Sequence, residues 1–421
     1  MVHCVLKQRQ VGRASQLPLH TASQHRSVAV QHFDVIVAGA GPAGAFSAYL
    51  LARSGARVAL VEQARLPRYK PCGGGVTWKV ARTLPFDIAP VVEREIRGIT
   101  LSFRAGPARR FDAGCPLCYT VMRDRFDAYL TEQAVAAGAQ LFDGQAVTAI
   151  ETHPAGVQVN ARGLSLRAQA LVGADGAKGI VARAVGLRPA SLRYVAMECE
   201  LRLDRYQDGV PLDTLTLDFV SDAGRDLDYA WIFPKAELLS VGVAGGERAG
   251  GVIKRYFEHY FAAQGFHRDD VVRTVGHTLP CRLTPTELVA GRVLLVGDAA
   301  GMVEPFTGEG IAYALKSARI AAEVLLRALD GRLPDLQEYR RRVDIEILPD
   351  LRRAYALSRL ARRMPRLIYL TFVHVPRFRR VVYGLLRGER SFRSPTTKLR
   401  PLEPLLHRLE PPLWRPVTMP R

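Results

Sequence analysis

Apolar positions in this chain fall into short uninterrupted runs that end in glycine and lead straight into helical spacing. Val35–Ala38 (VIVA) runs into Gly39-Ala-Gly41-Pro-Ala43-Gly44, and VLLV at 293–296 runs into Gly297-Asp298. A run apolar at every position and followed by a helix reads as a strand covered on both faces. Tyr229, Trp231 and Phe233 instead alternate with other residues, so a strand there presents one aromatic face. That face serves either an apolar ligand or the packing of its own domain. From Leu351 to Leu386 the spacing is helical, and Pro365 and Pro376 divide it into short helices. No run of 18 apolar residues occurs, which argues against a spanning helix.

The pattern predicts an α/β protein, and the family resemblance carried by the motifs below implies its layout: a Rossmann-type nucleotide-binding domain, an inserted and mostly antiparallel β-sheet domain for the substrate, and a C-terminal helical region. The nucleotide-binding domain is discontinuous, over 32–190 and 275–340. The sheet domain occupies 191–274, the helical region 341–421, and residues 1–31 form a tail. A chain of 421 residues exceeds what one core comfortably holds.

The spacing of the first glycines carries chemistry. Gly39 permits a tight strand-to-helix turn, Gly41 lets the backbone approach a pyrophosphate, and Gly44 allows close helix–strand packing, with Ala43 between them. Phosphates then meet free N–H groups at the positive end of the helix. The next strand, 57–61, ends at Glu62, 23 positions after Gly39. An acid there accepts hydrogen bonds from a ribose diol and disfavours a 2′-phosphate. This turn alone does not separate FAD from NAD. Two later segments do: VGADGA at 172–177, with Asp175-Gly176, and the run through Gly297-Asp298 to Gly308-Glu-Gly310-Ile311. An acid leaving a buried strand beside a helix start suits a ribityl chain. The helix opening at Gly308, Gly310 and Ile311 suits negative charge on a reduced isoalloxazine.

With all three segments in this order, the chain resembles the FAD-dependent oxidoreductases built like p-hydroxybenzoate hydroxylase. The resemblance implies that Asp298 holds the ribityl chain, that Asp175-Gly176 lies near the pyrophosphate, and that Arg123 reaches the flavin nucleotide. One position departs: Gly179 stands where that superfamily usually has Ser. Within it, Lys70-Pro-Cys72-Gly73-Gly74-Gly75-Val76 resembles the Cys-Gly-Gly signature of geranylgeranyl reductases. Tyr229-Ala-Trp231-Ile-Phe233-Pro234 matches their Tyr-x-Trp-x-Phe-Pro motif.

The implied activity is an FAD-dependent reductase that saturates carbon–carbon double bonds of a geranylgeranyl chain on a lipid or pigment. Cys72, Tyr229, Trp231 and Phe233 are its expected catalytic residues, Cys72 in a positional or proton-relay role. Gly73 and Gly74 offer bare backbone that a flavin ring could approach. Two other readings are carried: a flavin monooxygenase of the same fold, and a prenyl-lipid-binding flavoprotein without catalysis. With a single dinucleotide turn, the external donor is NADPH visiting transiently or a reduced ferredoxin-like protein.

Charge adds a partner. The net charge is +19, and 350–400 holds 14 Lys/Arg against two acids. Arg352, Arg353, Arg359, Arg362, Arg363 and Arg366 interleave with Leu357, Leu360, Leu367 and Ile368, which suits a basic amphipathic surface at anionic lipid. A plain solvated face is the competing reading, and no nucleic-acid motif accompanies the charge. Peripheral membrane contact of a cytoplasmic protein is therefore expected. An acid-poor start also fits organelle targeting, less well. Cys115-Pro-Leu-Cys118 has no second pair and no nearby histidine, so buried thiols rather than a metal site are expected. The oligomeric state is not specified.

Overall fold

The computed structural model describes residues 29–220, 227–393, 406 and 408–411, so most of the expected tail lies outside it. Its centre is a six-stranded sheet in the order Val289–Ala290, Val293–Leu295, Ala170–Gly173, Val35–Ala38, Val58–Val61, Gln140–Phe142. All pairings are parallel except the edge hairpin at 289–295. Val35–Ala38 is buried at every position because helix Pro42–Arg53 packs on the sheet and so does a four-stranded sheet, Val30–His32, Leu164–Ala168, Gly156–Ala161 and Val147–His153, through Val157, Val159, Leu166 and Ala168. Helix Pro42–Arg53 and helix Ile311–Leu329 pack on it side by side, and both begin at the carboxyl ends of the strands. Ligands collect at that edge in open α/β sheets.

Against it stands a seven-stranded, mostly antiparallel sheet: Val271–Cys281, Leu192–Arg202, Leu238–Gly246, Leu227–Pro234, Thr214–Phe219, Gly98–Phe103, Arg109–Asp112. Gly98–Phe103 and Arg109–Asp112 fall inside the span expected for the nucleotide-binding domain. They join this sheet instead because Gly98–Phe103 pairs in parallel with Thr214–Phe219. Val271–Cys281 likewise crosses the expected boundary at 274.

The two faces of this sheet differ. One buries Cys199, Leu201, Ala230, Ile232, Val241 and Val243 against Ile253, Phe257, Tyr260 and Phe261 of helix Gly250–Ala263. Period-two alternation then sends Tyr229, Trp231 and Phe233 to the opposite face. Cross-strand register grades that face from polar to apolar. Glu198 aligns with Gly242, Gly242 with Trp231, Trp231 with Leu217, and Leu217 with Leu101.

Helices Leu348–Arg363, Pro365–His374 and Pro376–Arg387 strap the apolar end of the face. Each of the last two restarts at a proline, whose missing N–H costs nothing in a first turn. Phe372 packs there with Ile99, Leu101 and Leu117. The basic interleaving expected at the surface is partly internal. Arg352 donates to the Leu283 and Pro411 carbonyls, and Arg353 pairs with Glu410. Arg379 caps the Phe372 and Val373 carbonyls. No helix among the described residues is long and apolar enough to cross a membrane.

Candidate functional site

A cavity of about 630 Å³ runs from the carboxyl edge of the parallel sheet, past the Cys72 loop, to the strapped apolar end of the second sheet. Every residue named above as a site residue lines it except Gly44, which lies one turn into its helix. The structure thus brings together segments far apart in the chain.

At the nucleotide end, Gly39 adopts φ +105°, and a Cβ there would lie 2.4 Å from the Ala174 carbonyl oxygen. A Cβ on Gly44 would lie 1.8 Å from the Gly39 carbonyl oxygen. Both glycines are therefore demanded by packing. Gly41 differs: the nearest atom on its Cβ side is Arg68 at 3.9 Å, leaving that face bare to the cavity. Ala43 packs against Gly297. Glu62 accepts the Ala40 N–H at 2.8 Å and the Ala64 N–H at 3.2 Å, and it pairs with Arg68. Arg68 also binds Asp127, which accepts two bonds from Arg123 at 2.8 and 3.0 Å. This alternating chain Glu62–Arg68–Asp127–Arg123 ends at the Cys72 thiol, which the Arg123 guanidinium reaches. Arg68 and Asp127 were not singled out in the sequence, since their pairing spans 59 positions.

Asp175 folds back on its own loop. Its carboxylate accepts the Val181 N–H at 2.9 Å, and a Cβ on Gly179 would stand 2.0 Å from its carboxyl carbon. The glycine that departs from the superfamily pattern is what makes room for this. Burial raises the Asp175 pKa, and its Oδ1 is buried without a partner. Gly176, at φ +77°, completes the turn. Asp298 lies beside Gly310, and among the described residues its carboxylate makes no hydrogen bond. Helix Ile311–Leu329 starts at Gly310 without a side-chain cap, so its first N–H groups have no side-chain acceptor.

The Cys72 loop meets the aromatic strand directly. A Cβ on Gly73 would stand 2.8 Å from the Phe233 ring and 3.3 Å from the Trp231 indole nitrogen. Gly74, at φ +74°, would strike the Val121 carbonyl oxygen at 2.2 Å. Phe233, Trp231 and Val121 thus crowd the Cβ side of Gly73 and Gly74, and both glycines line the cavity. Tyr229 donates to the Thr307 carbonyl at 2.7 Å and abuts Gly308. Trp231 donates to Ser240 at 3.2 Å.

Polar groups close the flavin-side end. Lys70 Nζ lies 2.8 Å from His277 Nε2, and burial, followed by the Lys70 charge, holds the His277 pKa down at about 3. The ring is therefore neutral and accepts from the ammonium. Burial also lowers the Lys70 pKa. The Cys72 N–H donates to Glu198 at 2.7 Å, and burial raises the Glu198 pKa. Lys70, Glu198 and His277 lie outside the sequence-derived set of site residues. Glu198 and His277 sit on strands that also carry Arg193, Glu200, Arg202 and Arg273, so the sequence does not set them apart. Cys115 and Cys118 are unpaired thiols, and no metal-ligating cluster occurs among the described residues.

These residues fit a flavin dinucleotide. Gly41 is bare, Asp175 Oδ1 lacks a partner, and the Asp298 carboxylate and a helix start face one cavity. The sequence pattern of the FAD binding domain family matches residues 32–199, and that of the lycopene cyclase protein family matches 244–375. The fold and this match define an FAD-dependent oxidoreductase. The geranylgeranyl diphosphate reductase of Rhodobacter capsulatus is 30% identical over 325 residues, spanning 72% of this chain and 78% of the relative. An uncharacterised protein of Methanosarcina barkeri is 33% identical, over 79% of this chain and 84% of its own. The geranylgeranyl bacteriochlorophyll reductase-like structure from Thermoplasma acidophilum superposes with a TM-score of 0.70 at 22% identity, over 79% of this chain and 88% of that one. The chain belongs to the geranylgeranyl reductase family.

Proposed function

We propose that this protein saturates carbon–carbon double bonds in the geranylgeranyl chain of a lipid or pigment. The observation that carries the reading is the continuity of one cavity from the nucleotide-binding edge to an aromatic and aliphatic slot. Tyr229, Trp231, Leu101, Leu217 and Phe372 line it. A methyl-branched hydrocarbon buries area there without asking for hydrogen bonds. Gly39, Gly41, Ala43, Gly44, Glu62, Arg123, Asp175, Gly176, Asp298, Gly308, Gly310 and Ile311 would hold FAD, with Gly73 and Gly74 shaping the loop beside it. When bound and reduced, FAD supplies a hydride.

A trisubstituted alkene is not electrophilic, so proton transfer leads or accompanies hydride transfer and leaves cation character at the branched carbon. The ring faces of Tyr229, Trp231 and Phe233 stabilise that charge and exclude water. Cys72 positions the loop or relays a proton. The electrons come from NADPH visiting transiently or from a reduced ferredoxin-like protein.

The substrate is collected from an anionic lipid surface. Among the described residues, four of the eight exposed large hydrophobics, Met364, Leu367, Leu370 and Val375, cluster on or beside helix Pro365–His374. The other side of that helix lines the slot through Ile368 and Phe372. Exposed Arg363, Arg366, Arg377 and Arg380 flank it, each contributing about 1 kcal/mol at anionic headgroups. Mass spectrometry of lipids from cells gaining or losing the gene tests the reading. A shift of two mass units per saturated bond in one isoprenoid class supports it; oxygen incorporation supports a monooxygenase instead.

A further inference from the structure

Saturating one double bond consumes one hydride, from the reduced cofactor, and one proton, which must reach a cavity walled by aromatic rings. Asp175 and Asp298, at the nucleotide end, would face the dinucleotide, and most other acids lining that cavity are already engaged. Glu309 pairs with Lys79 and accepts from Thr77. Asp228 pairs with Arg362, and Asp218 accepts from Ser102, Ala105 and Tyr256. Glu62 is held at the nucleotide end. Glu198 differs. Its Oε1 accepts the Cys72 N–H at 2.7 Å and the Tyr69 hydroxyl at 3.4 Å, while among the described residues its Oε2 has no hydrogen-bond partner. It shares a cross-strand row with Trp231, separated only by the bare Gly242 over which the indole lies.

We propose that Glu198 supplies the proton taken up at the alkene carbon, from a position between the Cys72 loop and the Trp231 ring. The inference rests on the reductase reading. As hydride forms one carbon–hydrogen bond, the Glu198 O–H breaks and forms the other, leaving a carboxylate that is reprotonated from solvent before the next turnover.

The surroundings suit an acid that stays protonated and then tolerates charge. Glu200 lies two residues on along the same sheet face, and both carboxyls share the charge of Lys235, which is 2% exposed. Two buried carboxyls facing one ammonium do not both ionise readily. Burial raises both pKa values, and Lys235 opposes the rise. The other charged or titratable groups about this pair are Tyr69, Lys70 and Cys72 of the loop, Arg273 and His277 of the adjacent strand, and Asp124 beyond Glu200.

Glu198→Gln separates proton supply from loop positioning, because the amide oxygen still accepts the Cys72 N–H. In FAD-loaded protein reduced anaerobically, E198Q is expected to keep wild-type FAD affinity and dithionite reduction. Flavin reoxidation by a geranylgeranyl lipid is expected to slow by about 10²–10⁴-fold. The fall in wild-type rate with rising pH disappears in E198Q. Glu198→Asp, still an acid, recovers part of the rate together with that fall. An E198Q rate within threefold of wild type, or an unchanged pH profile, overturns the proposal and leaves Glu198 as a positioning residue. A wild-type protein whose flavin no isoprenoid reoxidises overturns the reductase reading and this proposal together, a result distinct from an E198Q that matches an active wild type.

Discussion

The indole of Trp231 lies across Gly242 so closely that a Cβ there would stand 2.2 Å from Cζ2. One glycine on the neighbouring strand thereby sets the angle of the ring that walls the cavity. Gly242→Ala must tilt the indole or part the strands, and overpacking of this kind costs about 1–3 kcal/mol. We expect that loss in urea unfolding, a shifted tryptophan emission, at least a tenfold drop in turnover, and unchanged FAD affinity. Unchanged emission and turnover would show that the ring angle does not matter.

Gly179→Ser tests the loop at Asp175. The added Cβ would overlap the carboxylate, which then leaves the Val181 N–H. The expected outcome is a destabilisation of about 1–3 kcal/mol and altered FAD affinity, read by denaturant unfolding and flavin fluorescence.

His277 makes the protein acid-sensitive. Its pKa is held at about 3 in the folded chain against 6.5 as the ordinary value, so between those values the unfolded state binds the extra proton. Stability contributed by the neutral ring is present above pH 6.5 and is lost as pH falls toward 3. His277→Gln keeps an acceptor for Lys70 and removes this titration. The loss of stability from pH 6.5 to pH 5 should shrink by about 2 kcal/mol in the variant, measured with FAD saturating throughout.

Leu367→Glu with Leu370→Glu tests the lipid-facing helix. Both side chains are exposed, 53% and 39%, so folding and FAD content should hold. Flotation with phosphatidylglycerol vesicles should fall at least fivefold and should weaken with salt for the parent protein. Equal flotation of both proteins would assign the helix another role.

The parts of the fold legible in the sequence are those set by local chemistry. Gly39 and Gly44 are fixed by the turn they make, and Pro365 and Pro376 by the helices they start. The alternation of Tyr229, Trp231 and Phe233 predicts their shared face. Which side of the sheet that face meets depends on helix Gly250–Ala263, which takes the Ala230 and Ile232 side. Pairings across long separations were not legible: Gly98–Phe103 beside Thr214–Phe219, Arg68 on Asp127, and Glu198 on the Cys72 N–H. Glycines 73 and 74 read as bare backbone in the sequence, but the crowding of their Cβ side by Phe233 and Val121 comes from strands distant in the chain.

The most direct test is an anaerobic single turnover of FAD-loaded, pre-reduced protein with a geranylgeranyl lipid. Flavin absorbance should return as the lipid gains two mass units per bond saturated. A flavin that stays reduced until oxygen is admitted, with the lipid's mass unchanged, would contradict the account.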